Sequence, residues 1–173
     1  MTTTTRRVRD RQRLATTRST PPATLALLAS DTNWRVRESV GEHPSTPAAA
    51  LALLAHDRRG RVRGAAALHP STPAAVLATM ASDRSECVLV RLARNPSTPA
   101  ATLANLAIRC YWEVREKVAL NSSTPQATLV RLASDNRYGV RVAVARNPAA
   151  PAAALALLAT DSDEFVRHAA VRS

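Results

Sequence analysis

Large rings are scarce in this chain: aromatics make up 3% of its 173 residues, with a single Phe. A core built on aromatic packing is therefore excluded. Glycine is nearly as rare, at 4, and no glycine-rich phosphate loop is present. The two cysteines, Cys87 and Cys110, fit neither a disulfide framework nor a metal-ligand spacing and read as free thiols. No apolar run approaches the length of a membrane helix. The first twenty residues carry Arg and Thr but no hydrophobic stretch, so they are not read as a secretory signal. Lysine is all but missing: every basic residue except Lys117 is Arg or His.

What the chain does have is a period. Marker triplets recur every 26 residues, at Ser19-Thr20-Pro21, Ser45-Thr46-Pro47, Ser71-Thr72-Pro73, Ser97-Thr98-Pro99, Ser123-Thr124-Pro125 and a degraded Ala149-Ala150-Pro151. A fixed period of this size is the signature of a stacked repeat array. Stacking the six units in register shows which positions are fixed. Leu25, Leu51, Leu77, Leu103, Leu129 and Leu155 form one column without exception. Leu28, Leu54, Met80, Leu106, Leu132 and Leu158 follow three residues on, and an Ala column comes next. Offsets of three and four place these on one face of a first helix. Thr20 and its equivalents are expected to cap that helix, with Pro at its first position.

A second helix follows an Asp turn. It carries Val36, Val62, Val88, Val114, Val140 and Val166, then Val40, Ala66, Leu92, Val118, Val144 and Ala170 four residues on. It ends at His43, His69, Asn95, Asn121 or Asn147, which read as C-terminal caps of the left-handed type that Asn tolerates. Each unit is thus a helical hairpin. A few buried aliphatic side chains cannot offset the ordering of one unit alone, so the stack must supply the rest.

The arginines pattern with the aspartates. Arg37, Arg63, Arg115, Arg141 and Arg167 share one column, and Asp31, Asp57, Asp83, Asp135 and Asp161 another. The third unit has Leu89 in place of the Arg, and the fourth has Arg109 in place of the Asp. Pairing each Arg with the Asp of the next unit lets one rung lose both partners together, which costs less than orphaning one. The expected pairs are Arg37–Asp57, Arg63–Asp83, Arg115–Asp135 and Arg141–Asp161. Counting back one period puts Arg11 in the Arg column, opposite Asp31. Residues 1–18 are accordingly read as a basic N-terminal helix that forms a partial capping repeat, and 19–173 as a six-repeat α-solenoid.

The pattern N-P-S-T-P-x-x-x-L-x-x-L-A-x-D, followed by V-R-x-x-V-A, resembles the leucine-rich repeat variant family. The copy from Asn121 through Ala145 is the clearest, and the resemblance runs from about residue 19 to 173. It implies an all-α, right-handed superhelical solenoid in which one helix of each pair is short or of the 3₁₀ type. In outline it is similar to HEAT repeats. The family's founding type carries an iron–sulfur cluster in a cysteine-rich segment that this sequence lacks, so no cofactor or metal is expected.

Function is sought where the repeat breaks. Trp34, Trp112 and Tyr138 occupy one outward-facing column, with Gly60 in the same column and Gly64 one turn on, read as a bare notch. Arg35 and Arg61 lie beside them. This outer face holds five Arg against all six Glu, too balanced for a groove that tracks phosphates. Exposed aromatic and Arg residues are typical of protein-binding hot spots. The reading is a non-enzymatic scaffold that binds a protein or peptide partner through Trp34, Arg35, Gly60, Arg61, Gly64, Trp112 and Tyr138. The alternative partner is nucleic acid, suggested by a net charge of +11 and contacted by Arg6, Arg7, Arg9, Arg13, Arg58, Arg59, Arg84 and Arg137. The four histidines stand in scattered columns, and no catalytic constellation is seen. A cytoplasmic bacterial protein is expected from the composition, with no membrane association.

Overall fold

The computed structural model describes residues 3–108 and 111–172, with residues 3–6 as backbone only. Arg109 and Cys110 lie outside the described residues, as does the side chain of Arg6. Among the described residues the chain is all-helical, with no strand. It divides into two compact units, Met1–Leu92 and Ala93–Ser173.

The first unit opens with α1 (Thr3–Thr16). Two hairpins follow, α2 (Pro22–Leu28) with α3 (Trp34–Glu42) and α4 (Ala48–Leu54) with α5 (Gly60–Leu68). Next come α6 (Ala74–Thr79), a 3₁₀ turn (Met80–Ser82) and most of α7 (Glu86–Arg94), within which the unit ends. Helix α3 packs against both α1 and α5. The second unit holds α8 (Ala100–Leu106), α9 (Trp112–Leu120), α10 (Gln126–Leu132), α11 (Tyr138–Ala145), α12 (Ala152–Ala159) and α13 (Glu164–Val171). There α11 packs between α9 and α13. The first helices of the hairpins span six to eight residues, too short to persist alone in water. Their stability comes from the apolar columns. Leu25, Leu51, Leu77, Leu103 and Leu129 are fully buried, as are all six valines of the second helices. Leu89, which stands where other repeats carry Arg, is buried too.

The ends of the helices differ from expectation in two respects. Proline sits at the N-cap, not inside the helix: Pro21, Pro47, Pro73, Pro99, Pro125 and Pro151 all precede their helices. The proline carbonyl accepts the first helical bonds, as Pro47 does from Ala50 and Leu51. The threonine one residue earlier is then too far back to reach the first-turn amides. Its hydroxyl turns instead to the preceding second helix. Thr20 Oγ1 donates to the Leu14 carbonyl, Thr72 Oγ1 to Ala66 and Thr124 Oγ1 to Val118, each at 2.6 Å. The triplet threonine therefore seals the end of one helix, and the proline starts the next.

The second difference concerns His43, His69, Asn95, Asn121 and Asn147. No non-glycine residue among those described has a positive φ. His43 (φ −79°, ψ 125°), His69 and Asn121 (φ −77°, ψ 122°) are extended caps, and α11 is capped instead by Arg146 in helical conformation. The His and Asn side chains are buried for a different reason. His43 Nδ1 accepts the Ser45 amide at 3.1 Å, and its Nε2 bonds the Thr17 carbonyl at 2.9 Å. His69 repeats this with Ser71 and the His43 carbonyl. Asn121 does the same with Oδ1 on the Ser123 amide and Nδ2 on the carbonyls of Ala93 and Asn95. Asn147 follows with Ala149, Ala119 and Asn121. These side chains stitch one repeat to the one before it, satisfying buried backbone groups that neither helix can pair.

Candidate functional site

Each second helix begins at the column that holds the aromatic residues: Trp34, Gly60, Glu86, Trp112, Tyr138 and Glu164 are the first residues of α3, α5, α7, α9, α11 and α13. Before α3, α5, α7, α11 and α13 the start is set by the Asp turn. The Oδ1 of Asp31, Asp57, Asp83, Asp135 and Asp161 accepts the amide two residues on, at 2.8–2.9 Å. That turn delivers the chain to the helix with its first side chain at the rim.

The same carboxylates receive the arginines of the preceding repeats. Arg11 pairs with Asp31, Arg37 with Asp57 and Arg63 with Asp83 in the first unit; Arg115 pairs with Asp135 and Arg141 with Asp161 in the second. Each pair is bidentate through Nε and Nη2. The Nη1 of Arg37, Arg63 and Arg141 also donates to the backbone carbonyl of its own repeat's aspartate. Burial pushes the carboxyls of Asp31, Asp57, Asp83 and Asp135 up, but the guanidinium and the turn amide outweigh it and hold them below the usual carboxylate range. Asp161 is lowered chiefly by its bond from Arg141. These guanidiniums are thus engaged in structural pairs between repeats.

The aromatic column differs between the two units. In the first, Trp34 is half-buried, with the guanidinium of Arg35 4.9 Å and that of Arg61 5.8 Å from the ring centroid. That is cation–π range, so Arg35 and Arg61 gather on one ring. Gly60 is half-exposed, but Gly64 is buried. A Cβ on Gly64 would lie 2.9 Å from Arg91 Cδ, so the notch expected at Gly60–Gly64 is not bare: the stem of Arg91 fills its Gly64 half. In the second unit Trp112 is 38% and Tyr138 57% exposed, at the starts of two helices that pack together. Tyr111, beside Trp112, is exposed as well. It escaped notice in the sequence because it falls in the cap column, outside the helix.

A cavity of about 730 Å³ opens in the second unit, between α11 and α13. Arg146, His168, Arg172, Phe165 and Leu155 are among its lining residues, and no carboxylate is. Its one signal in the sequence is the degraded triplet, since Ala150, where other repeats place the sealing threonine, lines it. Among the basic residues assigned to nucleic acid, Arg7, Arg9, Arg13, Arg58, Arg59, Arg84 and Arg137 are exposed. The backbone amides of Arg59 and Arg137 also serve their Asp turns. No group of three or more His, Cys, Asp or Glu among the described residues is placed to hold a metal ion.

The profile of the leucine rich repeat variant family matches residues 34–59, 60–85, 112–136 and 138–163, more than half of the chain. The chain belongs to this family. The matches begin at or next to the aromatic column, where each second helix starts. Among solved structures, the YibA protein of E. coli is 19% identical over 99% of this chain and 74% of its own, with a TM-score of 0.61, a likeness of fold. A leucine-rich repeat variant described as a novel repetitive structural motif is 25% identical over 89% of this chain and 72% of its own, with a TM-score of 0.39. An engineered protein is 17% identical over 99% of this chain and 91% of its own, at 0.42. No curated protein matches the chain. Membership of this family makes the chain a repeat scaffold. No helix among the described residues is long and apolar enough to cross a membrane.

Proposed function

We propose that this leucine-rich repeat variant is a non-enzymatic scaffold that binds a protein or peptide partner through the outer face of its second helices. The observation that carries the reading is the pair Trp112 and Tyr138. They are two large rings in a chain with few, and both stay exposed at the starts of consecutive packed helices. Rings placed so are the usual anchors of an interface. Trp34 with Arg35, Gly60 and Arg61 forms the corresponding set in the first unit. Gly64 drops out of the set because Arg91 covers it. Residues 1–18 act as a partial repeat that caps the array. The bond from Arg11 to Asp31 and the complete burial of Ala15 support that role. The setting proposed is cytoplasmic.

The test is capture of partners from a lysate of the source cells by the full chain, identified by mass spectrometry. Replacing Trp34, Trp112 and Tyr138 together by Ala should abolish the capture with helicity unchanged by circular dichroism. Capture that survives the triple replacement sinks the reading. The exposed cations favour nucleic acid as the second reading. Titration with duplex and single-stranded DNA over a range of salt decides it, since phosphate contacts weaken steeply with salt. No binding at low salt rejects it.

A further inference from the structure

Two guanidiniums gather on one ring of the first unit with no carboxylate to neutralise them. Arg35 follows Trp34 on α3, and Arg61 comes from the first turn of α5, one repeat on. They stand 4.9 and 5.8 Å from the centre of the Trp34 ring. The negative face of the ring attracts each of them, while the two like charges repel one another. Both residues are exposed, and neither forms an ion pair with a carboxylate among the described residues. The acids of this edge are already engaged, Asp31 by Arg11 and Asp57 by Arg37. Arg58 and Arg59, exposed in the turn that leads to Arg61, add two more charges that form no ion pair among the described residues.

The positive surface is local. In the column of Arg35 and Arg61 the later repeats carry Cys87, Glu113, Gly139 and Phe165. Along α3 it ends within a turn, because Glu38 and Glu42 follow Trp34 on the same side of the helix. A nucleic-acid strand needs a run of cations and open rings on which to stack its bases. Here the run is cut short by glutamates, and Trp34 is half-buried. A short acidic segment of a protein matches better. It brings carboxylates a few residues apart, and a guanidinium takes a carboxylate in bidentate fashion. The ring already holds both receptors, so binding costs little of their freedom. The arriving anions also relieve the repulsion that the free protein bears.

We propose that Trp34, Arg35 and Arg61 form a binding site for an acidic segment of a partner protein, with Arg58 and Arg59 at its margin. The two guanidiniums each take a carboxylate, and Trp34 is the positioning residue that keeps them together. The inference rests on the reading of the outer face as a partner surface and supplies the chemistry of its first-unit part. The Trp112–Tyr138 pair plays no role in it.

The test uses the full chain and a fluorescein-labelled deca-glutamate peptide, read by anisotropy at low salt. Saturable binding is expected, about tenfold weaker for a deca-glutamine peptide. Arg35→Ala combined with Arg61→Ala should weaken it about tenfold. Arg94→Ala combined with Arg146→Ala removes the same charge from exposed sites elsewhere and should change it by less than about threefold. Trp34→Ala should weaken binding about fivefold, and Trp34→Phe, which keeps a ring beneath the guanidiniums, should restore most of it. In a chain carrying Trp112→Phe, Trp34 is the remaining tryptophan. Its emission should change with the same midpoint, a readout that needs no arginine to be replaced. Equal weakening by the two double variants, no saturable binding at millimolar peptide, or an unmoved Trp34 emission overturns the inference. So does tighter binding of decathymidylate that is weakened as much by the Arg35 and Arg61 replacements, since the site would then take phosphates. These outcomes leave the outer-face reading standing, because replacement of the three rings decides that separately.

Discussion

Arg37 grips both carboxylate oxygens of Asp57, twenty residues away, while its third nitrogen holds the carbonyl of Asp31. One side chain thus ties the turn of its own repeat to the turn of the next. Both partners are largely buried, with side chains 9% and 8% exposed.

Breaking this rung from one side should cost far more than removing it whole. Arg37→Leu leaves a buried carboxylate unpaired and should lose about 3–4 kcal/mol; Asp57→Asn alone should lose about 2–3 kcal/mol. The double variant should lose much less than the sum, with a coupling of about 2 kcal/mol. Leu89, buried where the other repeats carry Arg, shows that the fold accepts an apolar residue at this position. Urea unfolding of the four proteins measures the cycle, and additive losses would contradict it.

The rungs were legible in the sequence because they are periodic, and the missing Arg of the third repeat coincides with the missing Asp of the fourth. What one sequence could not show was direction. A threonine before a proline reads as a helix start, since both residue types favour that place. In the fold Thr20 and Thr72 face backwards, onto the carbonyls of Leu14 and Ala66. The Gly60–Gly64 notch failed likewise. Two small residues mark an empty space only if no long side chain from another repeat lies over it, and Arg91 does. The exposed Phe165 shares its column with Arg35, Arg61, Cys87, Glu113 and Gly139, a position with no fixed residue type, and so carried no periodic signal.

The aspartates predict an acid limit to stability. Asp31, Asp57, Asp83, Asp135 and Asp161 are all held below the ordinary carboxylate value of 3.8. A group whose pKa is lowered by folding contributes stability that is fully present above its unfolded value. That contribution is lost as pH falls from about 4 through the lowered folded values. Unfolding free energy should hold steady from neutral pH to about pH 5 and then drop steeply towards pH 2. Asp57→Asn should flatten the drop. Denaturant titrations at stepped pH check both; a stability unchanged at pH 2 refutes the assignment.

His43 and Asn121 do one job with two chemistries. In each, an acceptor at the δ position takes the amide two residues on, and the side chain's nitrogen, Nε2 in His43 and Nδ2 in Asn121, reaches the carbonyl one period back. With Nδ1 accepting the Ser45 amide, the N–H that reaches the Thr17 carbonyl is the one on Nε2. His43→Asn and His69→Asn should therefore stay within about 1 kcal/mol of the native chain, whereas His43→Ala, which leaves buried backbone groups unpaired, should lose about 2–3 kcal/mol. Thermal unfolding separates the two cases. An Asn variant as damaged as the Ala variant would mean that ring packing, not hydrogen bonding, is what the position supplies.

Gly41 and Gly139 should respond to the same substitution with opposite signs. Both lie in second helices, and helix propensity alone favours alanine over glycine by about 0.8–1 kcal/mol. At Gly139 a Cβ would meet nothing within 4 Å, so Gly139→Ala should raise stability by up to that amount. At Gly41 a Cβ would sit 2.8 Å from the Cβ of Ala65 on α5, closer than two carbons pack. Neither atom is the end of a flexible chain, so the helices must separate. Overpacking of this kind costs about 1–3 kcal/mol, which exceeds the propensity gain. Gly41→Ala should lower the melting temperature, and adding Ala65→Gly should recover most of the loss by removing the facing methyl. If Gly41→Ala stabilises as Gly139→Ala does, then α3 and α5 are free to move apart at no cost, and the glycine is not what sets their close approach.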